Sequence, residues 1–233
     1  MYFLPTSRKK MEFIVKQEEP VAVQEVPVPV PMAMAAPVPA PIPVDVVTRI
    51  FSGKNPDLLV FDCDFTIWPF DCDKHVISPF RASLFGEVMD RFGRPADPFR
   101  DVQKIFAGIV DAGIPVAFLS RNPSAVYIEE LLRCIKIFTK TRGEMSLWDT
   151  MPSREYFHAY SSGGVGKGKD KHFAALQKAC SIPFNKMIFF DDLPENILAA
   201  QQQGTTAVLV GAKRGLNVEA MDAGIDLWRS KQC

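Results

Sequence analysis

With 233 residues, the chain has room for one full domain and an appendage. Its 27 basic and 27 acidic residues cancel to zero, which removes any global electrostatic case for nucleic acid or a membrane surface as partner, while a hydrophobic content of 47% is that of an ordinary globular core. The five cysteines (Cys63, Cys72, Cys134, Cys180 and Cys233) are odd in number and form no CxxC, so reduced thiols in a cytoplasmic protein are expected rather than a disulfide framework.

Residues 1–44 read as a disordered, proline-rich tail, and residues 45–233 as the folded domain. Arg8-Lys9-Lys10 has no apolar run behind it, so no secretory signal is expected. The stretch from Val26 to Val44 is uncharged and long enough to suggest a membrane span, but it carries prolines at 27, 29, 31, 37, 39, 41 and 43. An interior proline costs a helix roughly 3 kcal/mol. Alternating Val-Pro and Ala-Pro instead favours an extended polyproline II segment, read as a spacer or as the ligand of a polyproline-binding domain of the SH3 type.

Asp45 to Lys54 reads as a short lead-in helix. Leu58-Leu59-Val60-Phe61 follows, a run apolar on both faces, as expected for the middle strand of a parallel sheet. It ends in Asp62-Cys63-Asp64-Phe65-Thr66, and carboxylates at the carboxyl end of such a strand sit where open α/β sheets bind ligands. Two acids set two apart need a cation, a shared proton or solvent, and oxygen-only ligands suit Mg²⁺. Cys63, Cys72 and His75 fit no standard zinc spacing. Trp68 and Phe70 keep the following loop apolar.

Glu87 to Arg94 has the turn chemistry of a small hairpin. Asp97-Pro98 predicts a helix start, with Val102, Ile105, Phe106, Ile109 and Val110 on one buried face and Gly113 as the stop. Ile114 to Leu119 is the next strand and ends in Ser120-Arg121-Asn122. Asn122-Pro123 repeats the cap-plus-proline start of a helix reaching about Ile135. A strand at Tyr156 to Tyr160 leads into the glycine-rich run Ser161 to Lys169 and a helix over Asp170 to Cys180. Lys186 to Phe190 is a buried strand ending in Asp191-Asp192, Pro194 opens a helix that closes at Gly204, and Thr206 to Val210 is a last strand. Strands alternating with amphipathic helices predict a three-layer, doubly wound α/β fold with a parallel sheet. Polar residues at successive strand ends then converge on one edge.

The order DxDxT at Asp62-Cys63-Asp64-Phe65-Thr66, Ser120, Lys169 and Asp191-Asp192 resembles the haloacid dehalogenase (HAD) superfamily. The words "FDCDFTIWPF", "SRN" and "FFDD" make it similar in particular to the magnesium-dependent phosphatase family, over about Pro56 to Gly211. The resemblance implies an HAD-like Rossmannoid fold with a minimal cap or none, and a Mg²⁺-dependent phosphomonoester hydrolase working through an aspartyl-phosphate. It makes Asp62 the nucleophile and Asp64 the general acid and base. Asp62, the Asp64 backbone carbonyl and Asp192 hold the metal, while Ser120, Arg121 and Lys169 meet the phosphate. Lys167 is the competing choice for the site lysine. Asp191 is read as a supporting partner, and Asn196 and His75 as structural. Phe65 stands where the family usually has tyrosine.

Little sequence remains for a cap domain, so bulky phosphates are admitted: phosphotyrosine on protein and aryl phosphates, alongside small sugar phosphates. Trp68 and Phe70 are expected at the cavity entrance. Two other readings compete. Gly163 to Lys169 spells GxxxxGK, the pattern of a P-loop nucleotide enzyme, but Asp170 replaces the Ser/Thr that pattern needs. The alternative is a non-catalytic binding module whose working part is the tail.

Overall fold

The computed structural model describes residues 44–84, 86–161 and 168–232. The proline-rich tail, Lys167 and most of the GxxxxGK run lie outside the described residues.

Helix α1 (Val44–Ile50) leads into β1 (Leu58–Phe61), the centre of a five-stranded sheet. A ribbon of β2 (Arg81–Ala82) and β3 (Val88–Met89) follows, then α2 (Val102–Asp111), β4 (Val116–Ser120) and α3 (Ala125–Cys134). A second ribbon, β5 (Lys136–Thr139) and β6 (Gly143–Ser146), precedes β7 (Phe157–Ala159) and α4 (Asp170–Cys180). The chain ends with β8 (Met187–Asp191), α5 (Pro194–Gln202), β9 (Thr206–Leu209) and α6 (Val218–Ser230).

The sheet order is β7-β4-β1-β8-β9 and every pairing is parallel, with Val60 of β1 set between Ala117 and Phe189. All four β1 residues are fully buried, which is why their run is unbroken rather than alternating. Side chains of a strand point to opposite faces in turn. Leu59, Phe61, Val116, Phe118, Ile188 and Phe190 therefore enter one core, with α1, α2, α3 and α6. Leu58, Val60, Ala117, Leu119, Met187 and Phe189 enter the other, with α4 and α5. Phe61 anchors the larger core, its ring 4.8 Å from Phe106 and 5.3 Å from Phe190. This is the three-layer α/β architecture expected from the strand and helix alternation.

The predicted buried face of α2 is the one observed, and Gly113, just beyond the helix, has φ +71°. Its start differs. Asp97 does not cap α2, because its carboxylate accepts the Val88 N–H at 2.7 Å and pins the ribbon, so the helix begins four residues after Pro98. The Glu87–Arg94 turn closes on Asp90, whose carboxylate accepts N–H bonds from Ile77, Phe92 and Arg94. Asn122 likewise does not cap α3, which starts at Ala125. The β5–β6 ribbon and α6 were not anticipated, although Val218, Met221, Ile225 and Trp228 lie at helical spacing and are buried. Among the described residues the segments after β1 and β4 each add only a two-stranded ribbon and one α-helix packed on the sheet, so no separate cap domain stands there. No described helix is long and apolar enough to cross a membrane.

Candidate active site

The strand ends converge as the alternation requires. Asp62 follows β1, its N–H held by the Phe190 carbonyl at 2.9 Å, so β8 fixes its backbone directly. Asp191 closes β8 and is fully buried. Its carboxylate accepts the Leu193 N–H at 2.8 Å, and the Asn196 amide reaches both of its oxygens at 2.9 Å. Lys169, just before α4, is fully buried, and its amine is bonded to Asp62 and, at 2.7 Å, to Asp191. Burial disfavours the ammonium, but the two carboxylates outweigh it and hold the lysine pKa above its ordinary value.

Carboxylate oxygens of Asp62, Asp191 and Asp192 lie within 4.8 Å of one another. Three carboxylates against one ammonium leave two negative charges, the complement of a divalent cation. Burial pushes Asp62 well above the ordinary carboxylate range, Lys169 opposing and Asp191 and Asp192 adding repulsion. Burial and Asp191 raise Asp192 to about 6. The donors are all oxygen, the ligand set of Mg²⁺. Asp191 lies within this acidic group while its oxygens are bonded by Lys169 and Asn196.

Asp64 is turned differently. One oxygen accepts the Trp68 indole N–H at 2.7 Å and the Cys72 N–H at 3.1 Å, and the other accepts the Asn122 amide at 2.7 Å. Burial raises its pKa, while the Asn122 and Trp68 bonds pull it back.

An open cavity of about 490 Å³ joins these groups and is lined by Asp62, Asp64, Phe65, Ser120, Arg121, Asn122 and Asp192, among others. Ser120 ends β4, and its hydroxyl accepts the Asn122 N–H at 3.1 Å. Arg121 reaches across to Glu195 at 3.2 Å and to the side-chain Oδ1 of Asn196 at 3.4 Å. His75 braces the loop by accepting the Asp71 N–H at 2.9 Å. Thr66 is buried and holds the loop through its carbonyl, which accepts the Leu216 N–H at 2.8 Å.

Trp68 is a correction. It does not line the entrance, and neither does Phe70: Trp68 is fully buried, stacked on the buried Phe70 at 6.0 Å, because its N–H needs a partner inside the core and finds Asp64. The aromatic ring at the cavity is Phe65, a residue at φ +56° whose ring meets His75 edge-on. The P-loop reading also loses its lysine, since Lys169 is committed to two carboxylates. Sequence reasoning missed Asn122, taken for a helix cap; the only available signal was its place directly after Ser120-Arg121 at a strand end.

Residues 54–231 match the model of the acid phosphatase family. The chain belongs to that family. It is 31% identical over 177 residues to human magnesium-dependent phosphatase 1, covering 76% of this chain and 89% of the relative, which places it among the magnesium-dependent phosphatases of the haloacid dehalogenase superfamily. A HAD-like hydrolase superfamily protein of Schizosaccharomyces pombe is 27% identical over 165 residues, 70% of this chain and 90% of that protein. Among solved structures, the N-terminal part of a Bacteroides fragilis protein, containing a phosphatase domain complexed with Mg, is similar in fold. Its TM-score is 0.50 at 18% identity, over 78% of this chain and 43% of that one.

Proposed function

We propose that this acid phosphatase family member is a Mg²⁺-dependent phosphomonoester hydrolase that works through a phosphoaspartyl intermediate on Asp62. The observation that carries the reading is the placement of Asp62. It stands in the cavity, bonded to Lys169 and grouped with Asp191 and Asp192.

An Asp62 oxygen attacks phosphorus as the bond to the leaving oxygen breaks, and Asp64 supplies that oxygen with a proton. Asp64 then takes a proton from a water whose oxygen attacks the same phosphorus, releasing inorganic phosphate and restoring Asp62. Ser120 and Arg121 bind phosphate oxygens, and Lys169 holds the Asp62 carboxylate in place. Asp62 and Asp192, with the Asp64 carbonyl, would hold Mg²⁺, which when bound would let an anionic nucleophile approach a phosphate dianion. Asp191 stays tied to Lys169 and Asn196 and keeps the group in register.

The open cavity and the absence of a cap among the described residues suit phosphorylated small molecules, small sugar phosphates and aryl phosphates included, and phosphotyrosine on protein. The test is turnover of p-nitrophenyl phosphate: Asp62→Asn abolishes it, EDTA abolishes it in the unaltered chain, and Mg²⁺ restores it. A rate indifferent to both would refute the reading.

A further inference from the structure

Each carboxylate oxygen offers two lone-pair positions. On Asp64 they are unequally filled. Oδ1 accepts two N–H donors, the Trp68 indole at 2.7 Å and the Cys72 backbone at 3.1 Å, which uses both of its positions. Oδ2 accepts one N–H donor, the Asn122 amide at 2.7 Å, and the Cys72 thiol is also bonded to the carboxylate, which lines the cavity.

Neither donor is free to turn away. Trp68 is fully buried and packed on Phe70, so its indole N–H has no water to bond. Asn122 is fixed at its other end, its Oδ1 accepting the Ser124 N–H at 2.8 Å. That bond also settles which side of the amide is oxygen, because the opposite side faces carboxylates that only accept.

We propose that Trp68 and Asn122 are positioning residues that orient the Asp64 carboxyl so that Oδ2 alone trades a proton with the leaving oxygen and then with water. The proposal rests on the reading of Asp64 as acid and base. The Asn122 amide also lies 3.1 Å from Asp71 Oδ1 and 3.3 Å from Asp73 Oδ1, and both residues line the cavity. One amide thus ties the cavity mouth to the proton donor.

Proton donation matters for a poor leaving group and little for a good one. The experiment compares phosphoenzyme formation in single turnovers from glycerol phosphate, an alkyl ester, and p-nitrophenyl phosphate, with Mg²⁺ bound. The chains compared are the unaltered one, Trp68→Phe, which keeps an aromatic ring but loses the N–H, and Asn122→Leu. Misplacing a catalytic group can cost about 100-fold, so each variant should slow the alkyl ester some 10–100-fold more than the aryl ester, with half-saturating substrate concentrations little changed. Equal losses on both esters from variants that keep their thermal midpoint overturn the proposal. Should Trp68→Phe not fold, Asn122→Leu at the cavity wall decides alone. Asp64→Asn is the reference. If it discriminates between the esters and the other two do not, positioning fails by itself; if Asp64→Asn shows no discrimination, the acid and base role falls and the proposal with it.

Discussion

Lys169 and Asp191 form an ion pair at 2.7 Å in which neither side chain is exposed to solvent, and the same amine also bonds Asp62. Such a lysine does two jobs. It holds the Asp62 carboxylate, and it offsets the repulsion between two buried acids. Removing one partner of a buried pair leaves the other uncompensated, at a cost of about 3–5 kcal/mol. Lys169→Met is therefore expected to lose activity and to unfold at distinctly lower urea, with saturating Mg²⁺ recovering part of the stability. An unchanged urea midpoint would show that the pair contributes nothing to the fold.

Metal binding should be visible without turnover. A ligand that binds only the folded state raises stability by about 2.7 kcal/mol at 100 times its dissociation constant, so Mg²⁺ should raise the thermal midpoint. Asp192→Asn removes a carboxylate from the acidic group and should abolish most of that rise. Asp64→Asn should keep it, because only the backbone carbonyl of that residue is assigned to the metal. Scanning fluorimetry across a Mg²⁺ series separates the two, and a rise lost equally in both would contradict the assigned ligand set.

Aryl selectivity should follow Phe65 rather than Trp68. Phe65 is half-buried at the cavity, with its ring against His75. An aromatic pair is worth about 0.5–1.5 kcal/mol beyond its buried area, so Phe65→Ala should raise KM for aryl phosphates roughly 2- to 12-fold and leave small alkyl phosphates less affected. Steady-state kinetics on both classes measures this, and an equal change for the two would exclude the ring from substrate contact.

His172 predicts an acid-side stability loss. Its Nε2 faces the Ser120 and Tyr160 carbonyls, each at 2.9 Å, and burial, aided by the Lys169 charge, holds its pKa down to about 4. The imidazole is therefore neutral in the fold while the unfolded chain takes up a proton below about pH 6.5. Its contribution is complete above that pH and is lost as pH falls toward 4, with a slope of at most about 1.4 kcal/mol per pH unit. Denaturant titrations of the unaltered chain and His172→Gln, compared from pH 7 to pH 4, should converge as the pH drops. Parallel curves would remove His172 from the acid response.

Much of this site was legible in advance for a local reason. A strand buried on both faces must be continuously apolar, and its first polar residue marks the edge where parallel strands present their carboxyl ends. Leu58 to Phe61 followed by Asp62, Val116 to Leu119 followed by Ser120, and Met187 to Phe190 followed by Asp191 all obey that rule. Such patterns report which positions meet at an edge. They do not report where the side chains at that edge turn.

Those directions belong to the packed molecule. Trp68 looked like an entrance residue because little sequence remains for a cap over the site, yet the core claimed its ring and Asp64 its N–H. Asn122 and Asp97 have the composition of helix caps, but each is taken up by partners on other elements. Asp191 is bonded both by Lys169, 22 residues earlier, and by Asn196. From residue order alone came the strand edge, the family and the set of acids. Which oxygen each donor reaches was left to tertiary packing, since a buried polar group bonds whatever the fold brings within about 3 Å, however far away it lies in the chain.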